Sequence, residues 1–194
     1  MAGSRLVSLA QEKKQIEGAL IGELAQRAVR QGVVDNPAEV VVRDLLPLTD
    51  LGRATTGSTS ETAATGGYRS EDWSVNLTTY ARGSSTASVA GAYNTVINCN
   101  MNKEKVVGFM GVQQEDQRNV VAIRWSLGSG AKIKDIWQVG HVAENGVMYA
   151  ENPIIYNSTN VAKVEYYVNS LTSVRMILLG KAAEAKGDTI LGAE

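Results

Sequence analysis

The chain contains one histidine and one cysteine, which limits the catalytic chemistry it can support. His141 precedes Glu144, but a histidine acting as a general base needs a nucleophile or substrate within reach and an orienting partner. No Ser/His/Asp pattern surrounds His141, so it is best interpreted as a structural or surface residue. Cys99 lies between Ile97 and Met101 on one side of a predicted strand, and we expect it in the core. A single cysteine excludes an intrachain disulfide and a Cys-rich zinc site.

Carboxylates are the other candidates for catalysis, and they are scattered: Asp135, Glu144, Glu151, Glu165 and Glu184. Two carboxylates about 5–10 Å apart could support glycoside hydrolysis, but sequence does not give that distance. We expect these side chains to be solvated charges on strand faces, because acidic residues are mostly exposed. Gly128-Ser129-Gly130 lacks the lysine and following helix of a phosphate loop. We therefore predict no catalytic residue, no cofactor and no metal site.

The net charge excludes another class of function. The chain has 194 residues, with 19 Lys plus Arg against 20 Asp plus Glu, a net charge of −1. A dedicated nucleic-acid binder usually carries a basic excess, so we expect no direct nucleic-acid partner. No stretch approaches the roughly 18 consecutive apolar residues of a membrane span. The first residues lack the apolar region of a signal peptide, which favours synthesis in a cytoplasm.

The aromatic residues divide the chain. The first of the eleven is Tyr68, and eight lie between Tyr93 and Tyr167. Because aromatic side chains dominate cores, the core is expected to be C-terminal. Residues 53–67 contain no large apolar side chain and cannot bury enough surface to order by themselves. We predict three regions, which are an N-terminal helical arm (1–52), a Gly/Ser/Thr-rich connector or extended loops (53–92) and a β-sandwich (93–194).

Residues 5–31 carry an apolar stripe at helical spacing, and Gly32 follows as a C-cap. Asn36-Pro37-Ala38-Glu39 matches the start of a second helix, although Val40-Val41-Val42 is equally compatible with a strand. The stripe either folds back on its own sandwich or docks on another subunit. With six basic and seven acidic residues in 1–51, a genome-binding arm is disfavoured. The residues that we predict to contact another subunit are Leu9, Ile16, Leu20 and Leu24 of this region, together with Trp73.

From residue 93 the apolar pattern has a period of two. Ile123 and Trp125 alternate with Ala122 and Arg124, and the alternation favours the core for Trp125. Asp135 interrupts the apolar face of the next run, which suggests a bulge or an edge. Seven or more short strands separated by turn signals predict a mainly β protein, an antiparallel β-sandwich of jelly-roll type with an N-terminal helical arm.

Four stretches, together with this organisation, resemble virion structural proteins of bacterial and archaeal viruses, namely capsid, minor capsid and head-decoration proteins. They are Val42-Arg43-Asp44-Leu45-Leu46-Pro47, Ile133-Lys134-Asp135-Ile136-Trp137-Gln138-Val139, Asn152-Pro153-Ile154-Ile155-Tyr156, and the ending from Ile177-Leu178-Leu179-Gly180 through Gly187-Asp188-Thr189-Ile190. The resemblance implies a non-enzymatic assembly subunit, located in the virion after synthesis in the host cytoplasm. Its partners would be copies of itself and other shell proteins, as expected of symmetric oligomers.

Two other functions remain open at this point. One is a carbohydrate-binding sandwich of a spike or tail, in which Trp73, Tyr80 and Tyr93 would contact a glycan. The other is a sandwich-fold hydrolase with an Asp/Glu pair, which the residue inventory disfavours.

Overall fold

The computed structural model describes residues 6–7, 10–45, 81–86, 90–101, 104–114, 120–128, 132–140, 146–158, 160–170 and 173–187. The predicted contact residues Leu9 and Trp73 lie outside these ranges, as do His141 and Glu144.

The described residues form one long helix, one short 3-10 helix and ten strands. The helix α1 spans Ala10–Arg30, and the 3-10 helix spans Pro37–Glu39. The strands are β1 (Leu6–Val7), β2 (Val40–Asp44), β3 (Ala81–Thr86), β4 (Ala92–Asn100), β5 (Val106–Gln114), β6 (Val120–Leu127), β7 (Lys132–Gln138), β8 (Val147–Tyr156), β9 (Val161–Val168) and β10 (Ser173–Ala185).

The strands form two antiparallel sheets. Sheet A has six strands in the order β1-β8-β5-β10-β2, with β3 also paired to β10, and sheet B has four in the order β4-β9-β6-β7. Most consecutive strands after β3 lie in different sheets, so the chain crosses repeatedly between the two layers. This arrangement confirms the predicted β-sandwich with an N-terminal helix.

Aromatic side chains fill the space between the sheets, as the sequence predicted. The ring centroid of Trp125 lies 4.6 Å from that of Trp137 and 4.8 Å from that of Phe109. These three residues and Tyr156 are fully buried. The Tyr156 hydroxyl donates to the backbone oxygen of Ser126 at 3.0 Å, which ties sheet A to sheet B through the core. Interdigitated rings of this size account for much of the apolar area that stabilises the sandwich.

Helix α1 ends where the sequence indicates. Gly32 has φ 66°, its N–H donates to Val29 O at 3.1 Å, and the N–H of Val33 donates to Ala28 O at 2.9 Å. This pair of hydrogen bonds is a Schellman C-cap, which requires a left-handed residue and therefore favours glycine. The predicted start at residue 5 was too early, because Leu6 and Val7 pair with Ala150 and Tyr149 of β8.

Asn36 caps a short element, not a second long helix. Its side-chain Oδ1 accepts from Ala38 N at 3.0 Å, and Pro37–Glu39 makes one 3-10 turn. Val40–Asp44 then pairs with Lys181–Ala185 of β10, as the strand alternative predicted. Ala81–Thr86 pairs with the other end of β10. The sheet therefore includes strands from the regions interpreted as arm and connector, because β10, with 13 residues, is long enough to hold both on one edge.

Candidate functional site

The apolar stripe of α1 packs against its own sandwich. Ile16, Leu20 and Leu24 are buried together with Val106 and Met110 of β5 and Ala183 of β10. Gly108 lies directly beneath the helix, because a Cβ added there would come within 2.6 Å of Leu20 Cδ1. In this fold Ile16, Leu20 and Leu24 therefore make a contact within the chain. That they also contact another subunit stays a prediction.

The helix packs here because sheet A needs a cover on its outer face. On β5, Val107 and Phe109 point into the sandwich, while Val106 and Met110 point to the other side. An apolar strand face of this kind must be buried against another layer. The helix supplies that layer, and the sequence had left open this possibility of folding back.

Lys181 adds a polar link to the same layer. Its Nζ lies 2.7 Å from Glu17 Oε1 of α1 and 2.9 Å from Asp44 Oδ1 of β2. Burial alone would lower the pKa of Lys181, but the hydrogen bonds to Glu17 and Asp44 outweigh it and raise the pKa. One ammonium group thus joins the helix, an edge strand and the central strand β10.

Glu184 belongs to a buried ion cluster at one end of the inter-sheet core. Its Oε1 and Oε2 accept from Arg43 Nε and Nη2 at 2.7 and 2.9 Å, and Lys105 Nζ lies 3.0 Å from Oε2. The carboxylate is fully buried. A buried carboxylate with two cationic partners is compensated and holds three chain segments together. The expectation of a solvated charge at Glu184 was wrong.

A second carboxylate, Glu165, is also buried, on the outer face of sheet B. Its strand neighbours Val164 and Tyr166 point into the core, so Glu165 and Tyr167 point outward. Arg124 Nε donates to Glu165 Oε2 at 2.7 Å, and Lys163 Nζ lies 2.9 Å from Oε1. Burial would raise the pKa of Glu165, but these two hydrogen bonds lower it overall. The expectation of a solvated charge was wrong here as well, because Arg124 covers the carboxylate.

Arg124 in turn organises two tyrosines. Its guanidinium carbon lies 3.9 Å from the ring centroid of Tyr93, a cation–π contact. The Tyr93 and Tyr167 rings meet edge to face, with centroids 5.3 Å apart. We call Tyr93, Arg124 and Tyr167, with Glu165 beneath them, the tyrosine–arginine patch. Both tyrosines and Arg124 are partly exposed.

This geometry bears on the two alternative functions. Glu165 and Glu184 are each held by cations, Glu151 is exposed and Asp135 is partly buried, with its Oδ1 accepting from Ile136 N at 2.8 Å. Arg124 covers one face of the Tyr93 ring, which leaves less of that ring for a sugar. Tyr80, like Trp73, lies outside the described residues.

Cys99 lies opposite Ala162 in the pairing of β4 with β9, and the Ala162 side chain is in the inter-sheet core. No group of three or more His, Cys, Asp or Glu side chains within the described ranges could hold a metal ion. No helix in the described part of the chain is long and apolar enough to cross a membrane.

The tyrosine–arginine patch was missed because Tyr93, Arg124 and Tyr167 are 31 to 74 positions apart in sequence and meet only through strand pairing. The sequence signal that could have indicated the patch was the position of Arg124 on the outward face of the alternating run 120–127.

Comparison of the chain with models of protein families, with curated proteins and with solved structures found no match.

Proposed function

We propose that this protein is a non-enzymatic structural subunit that acts through protein–protein assembly. The observation that carries the proposal is the tyrosine–arginine patch on the outer face of sheet B. The helix covers the outer face of sheet A, and within the described part of the chain no element covers the patch.

The chemistry of the patch suits contact with another protein. Tyrosine and arginine are enriched among the residues that dominate binding energy at interfaces. The Glu165 carboxylate fixes Arg124, and Arg124 stacks on Tyr93, so little side-chain entropy would be lost on binding. The occupant that we propose is a second copy of this chain. A net charge of −1 gives two copies little mutual repulsion.

The setting that we propose is a viral particle, in which the chain is a capsid, minor capsid or decoration protein. This part of the proposal depends on the sequence resemblance described above. Other shell proteins would then be partners, and the virion would be the site of action. Electron microscopy of the native material, with an antibody against this chain, tests the setting. Labelled particles with regular shells would support it, and absence of the label from purified particles would contradict it.

Light scattering at tens of micromolar protein tests the assembly itself. We expect a defined oligomer whose mass falls when Tyr167→Ser removes one ring of the patch. Ile21→Ser is the matched control, because Ile21 is exposed on the helix at the opposite side of the sandwich. A strict monomer for the unmodified chain would contradict the proposal. An oligomer that Tyr167→Ser leaves intact would show that the patch is not the contact surface.

A further inference from the structure

A cleft of about 370 Å³ opens between the edge strand β7, strand β8 and the C-terminal half of α1. It is lined by Arg27, Lys134, Asp135, Asn152, Pro153, Ile154 and Ile155. Its volume lies within the range of about 300–1,000 Å³ typical of small-molecule sites. Because three different elements contribute to its walls, the cleft is a product of the tertiary fold.

Two cationic side chains face this cleft. Arg27 Nε donates to Glu23 Oε1 at 2.6 Å, and its Nη1 donates to Asn157 Oδ1 at 3.2 Å. Those two bonds use two of the five N–H donors of the guanidinium. Lys134 Nζ donates to the backbone oxygen of Ile155 and lies 5.1 Å from the Tyr156 ring centroid. Both cations therefore keep donors that a ligand can use.

The positive charge of Lys134 is poorly compensated by the described residues. Within the described ranges no carboxylate lies in ion-pair distance of its Nζ, unlike Lys181 and Lys163. Burial, then the positive charges of Arg27 and Lys132, lower the pKa of Lys134. A bound anion between Arg27 and Lys134 would relieve both the burial cost and the mutual repulsion.

The charges in the cleft indicate the class of anion. Arg27 and Lys134 contribute two positive charges and Asp135 one negative charge to the lining, and the Glu23 carboxylate, 2.6 Å from Arg27 Nε, offsets part of the remaining positive charge. A monoanion matches that charge better than a dianionic phosphate does. The remaining donors can each bind one oxygen of a planar carboxylate. Pro153 and Ile154 offer an apolar wall for a short carbon chain.

We propose that this cleft binds the carboxylate of a small organic acid, with Arg27 and Lys134 as its ligands. The same chemistry can be supplied by a free metabolite or by an acidic side chain of a neighbouring copy. This inference is independent of the tyrosine–arginine patch, which lies on the outer face of sheet B.

Propionate is the probe, titrated into the full-length chain at constant ionic strength and followed by ¹H–¹⁵N NMR. We expect saturable shifts at the amides of Asp135, Asn152 and Ile155. Lys134→Met should weaken propionate binding about tenfold or more, since a charge-assisted hydrogen bond is lost. Lys14→Met is the control, because Lys14 is exposed near the start of α1 and does not line the cleft.

Arg27→Gln is the second variant, and Arg30→Gln, one turn closer to the helix end and exposed, is its control. Linear, non-saturating shifts in the unmodified chain would overturn the proposal, and this measurement requires no variant to fold. Equal affinity in Lys134→Met and Lys14→Met would also overturn it, as would tighter binding of inorganic phosphate than of propionate.

Light scattering with and without saturating propionate separates the two sources of carboxylate. Loss of an oligomer on adding propionate, and on Lys134→Met, assigns the natural carboxylate to a neighbouring copy. Saturable binding with an unchanged mass assigns it to a free acid.

Discussion

Docking of the helix on sheet A can be tested with a paired substitution at Leu20 and Gly108. Leu20 is 1% exposed and lies over Gly108, which has no side chain to fill a space left above it. Leu→Ala changes in cores cost about 2–5 kcal/mol, depending on how far the site can collapse. The rigid sheet limits collapse, so we expect Leu20→Ala to lower the free energy of unfolding by about 3 kcal/mol.

Gly108→Ala perturbs the same contact from the other side. The new Cβ would lie 2.6 Å from Leu20 Cδ1 and 3.3 Å from Leu24 Cδ2, and the flexible Leu20 side chain must move. Overpacking of this kind costs about 1–3 kcal/mol. In the double variant the new methyl group occupies space that Leu20 has vacated. We therefore expect the double variant to be less destabilised than the sum of the single changes, by at least about 1 kcal/mol.

Urea unfolding, followed by the fluorescence of the buried tryptophans, measures all four proteins at two concentrations. Ile21→Ala is the control, since Ile21 is 39% exposed, and its effect should stay within about 0.5 kcal/mol. Additive costs, within about 0.3 kcal/mol, would refute the contact between Leu20 and Gly108. A cost of Leu20→Ala that varies with protein concentration would instead indicate that the helix docks on a neighbouring copy.

Three further substitutions test the buried polar groups. Glu184→Gln should destabilise the fold by about 3 kcal/mol in urea unfolding, because it removes the buried negative charge that both Arg43 and Lys105 contact. The exposed Glu151→Gln should have little effect. The pKa of Glu165 is lowered in the fold, so the stability that this carboxylate contributes is present above its unfolded pKa and is lost as pH falls through its folded pKa. Glu165→Gln should therefore make the free energy of unfolding less dependent on pH below about pH 4. An unchanged pH dependence would contradict this. Burial raises the pKa of Tyr166, whose hydroxyl has no partner among the described residues, so stability should fall as pH rises above about 10. Tyr166→Phe should remove that loss, and at neutral pH it should be neutral or stabilising by about 1 kcal/mol. Destabilisation by Tyr166→Phe would show a hydrogen bond that the structure lacks.

The sequence predicted best where a strand has one clear apolar face. In β6, Ile123 and Trp125 are buried and Arg124 between them is partly exposed, as their alternation predicted. The interruption at Asp135 was interpreted as a bulge or an edge, and both are present, because β7 is an edge strand and the register shifts opposite Trp125. In each of these elements the local pattern and the tertiary environment agree, which is when sequence reasoning succeeds.

Strand β10 shows why the rest could not be predicted. Leu178 and Ala182 face the inter-sheet core, while Leu179 and Ala183 face the helix layer. Because both faces of the strand are apolar, the alternation of apolar and polar residues that predicts a strand is weak. Its partner strands β2 and β3 lie more than 80 positions away in sequence, so no local pattern indicates the pairing. The ion partners of Glu184 are equally remote, because Arg43 is 141 positions away in sequence.

The central position of β10 also restricts which surfaces of this protein can contact a partner protein. One edge pairs with β5, the other with β2 and β3, and its two faces support the helix layer and the core. A partner that docked on sheet A would have to displace the helix and break the Lys181 contacts to Glu17 and Asp44. Sheet B carries no such cover in the described part of the chain, so a contact there costs no reorganisation. For this reason Tyr167→Ser should affect assembly before it affects stability, whereas Leu20→Ala should do the reverse.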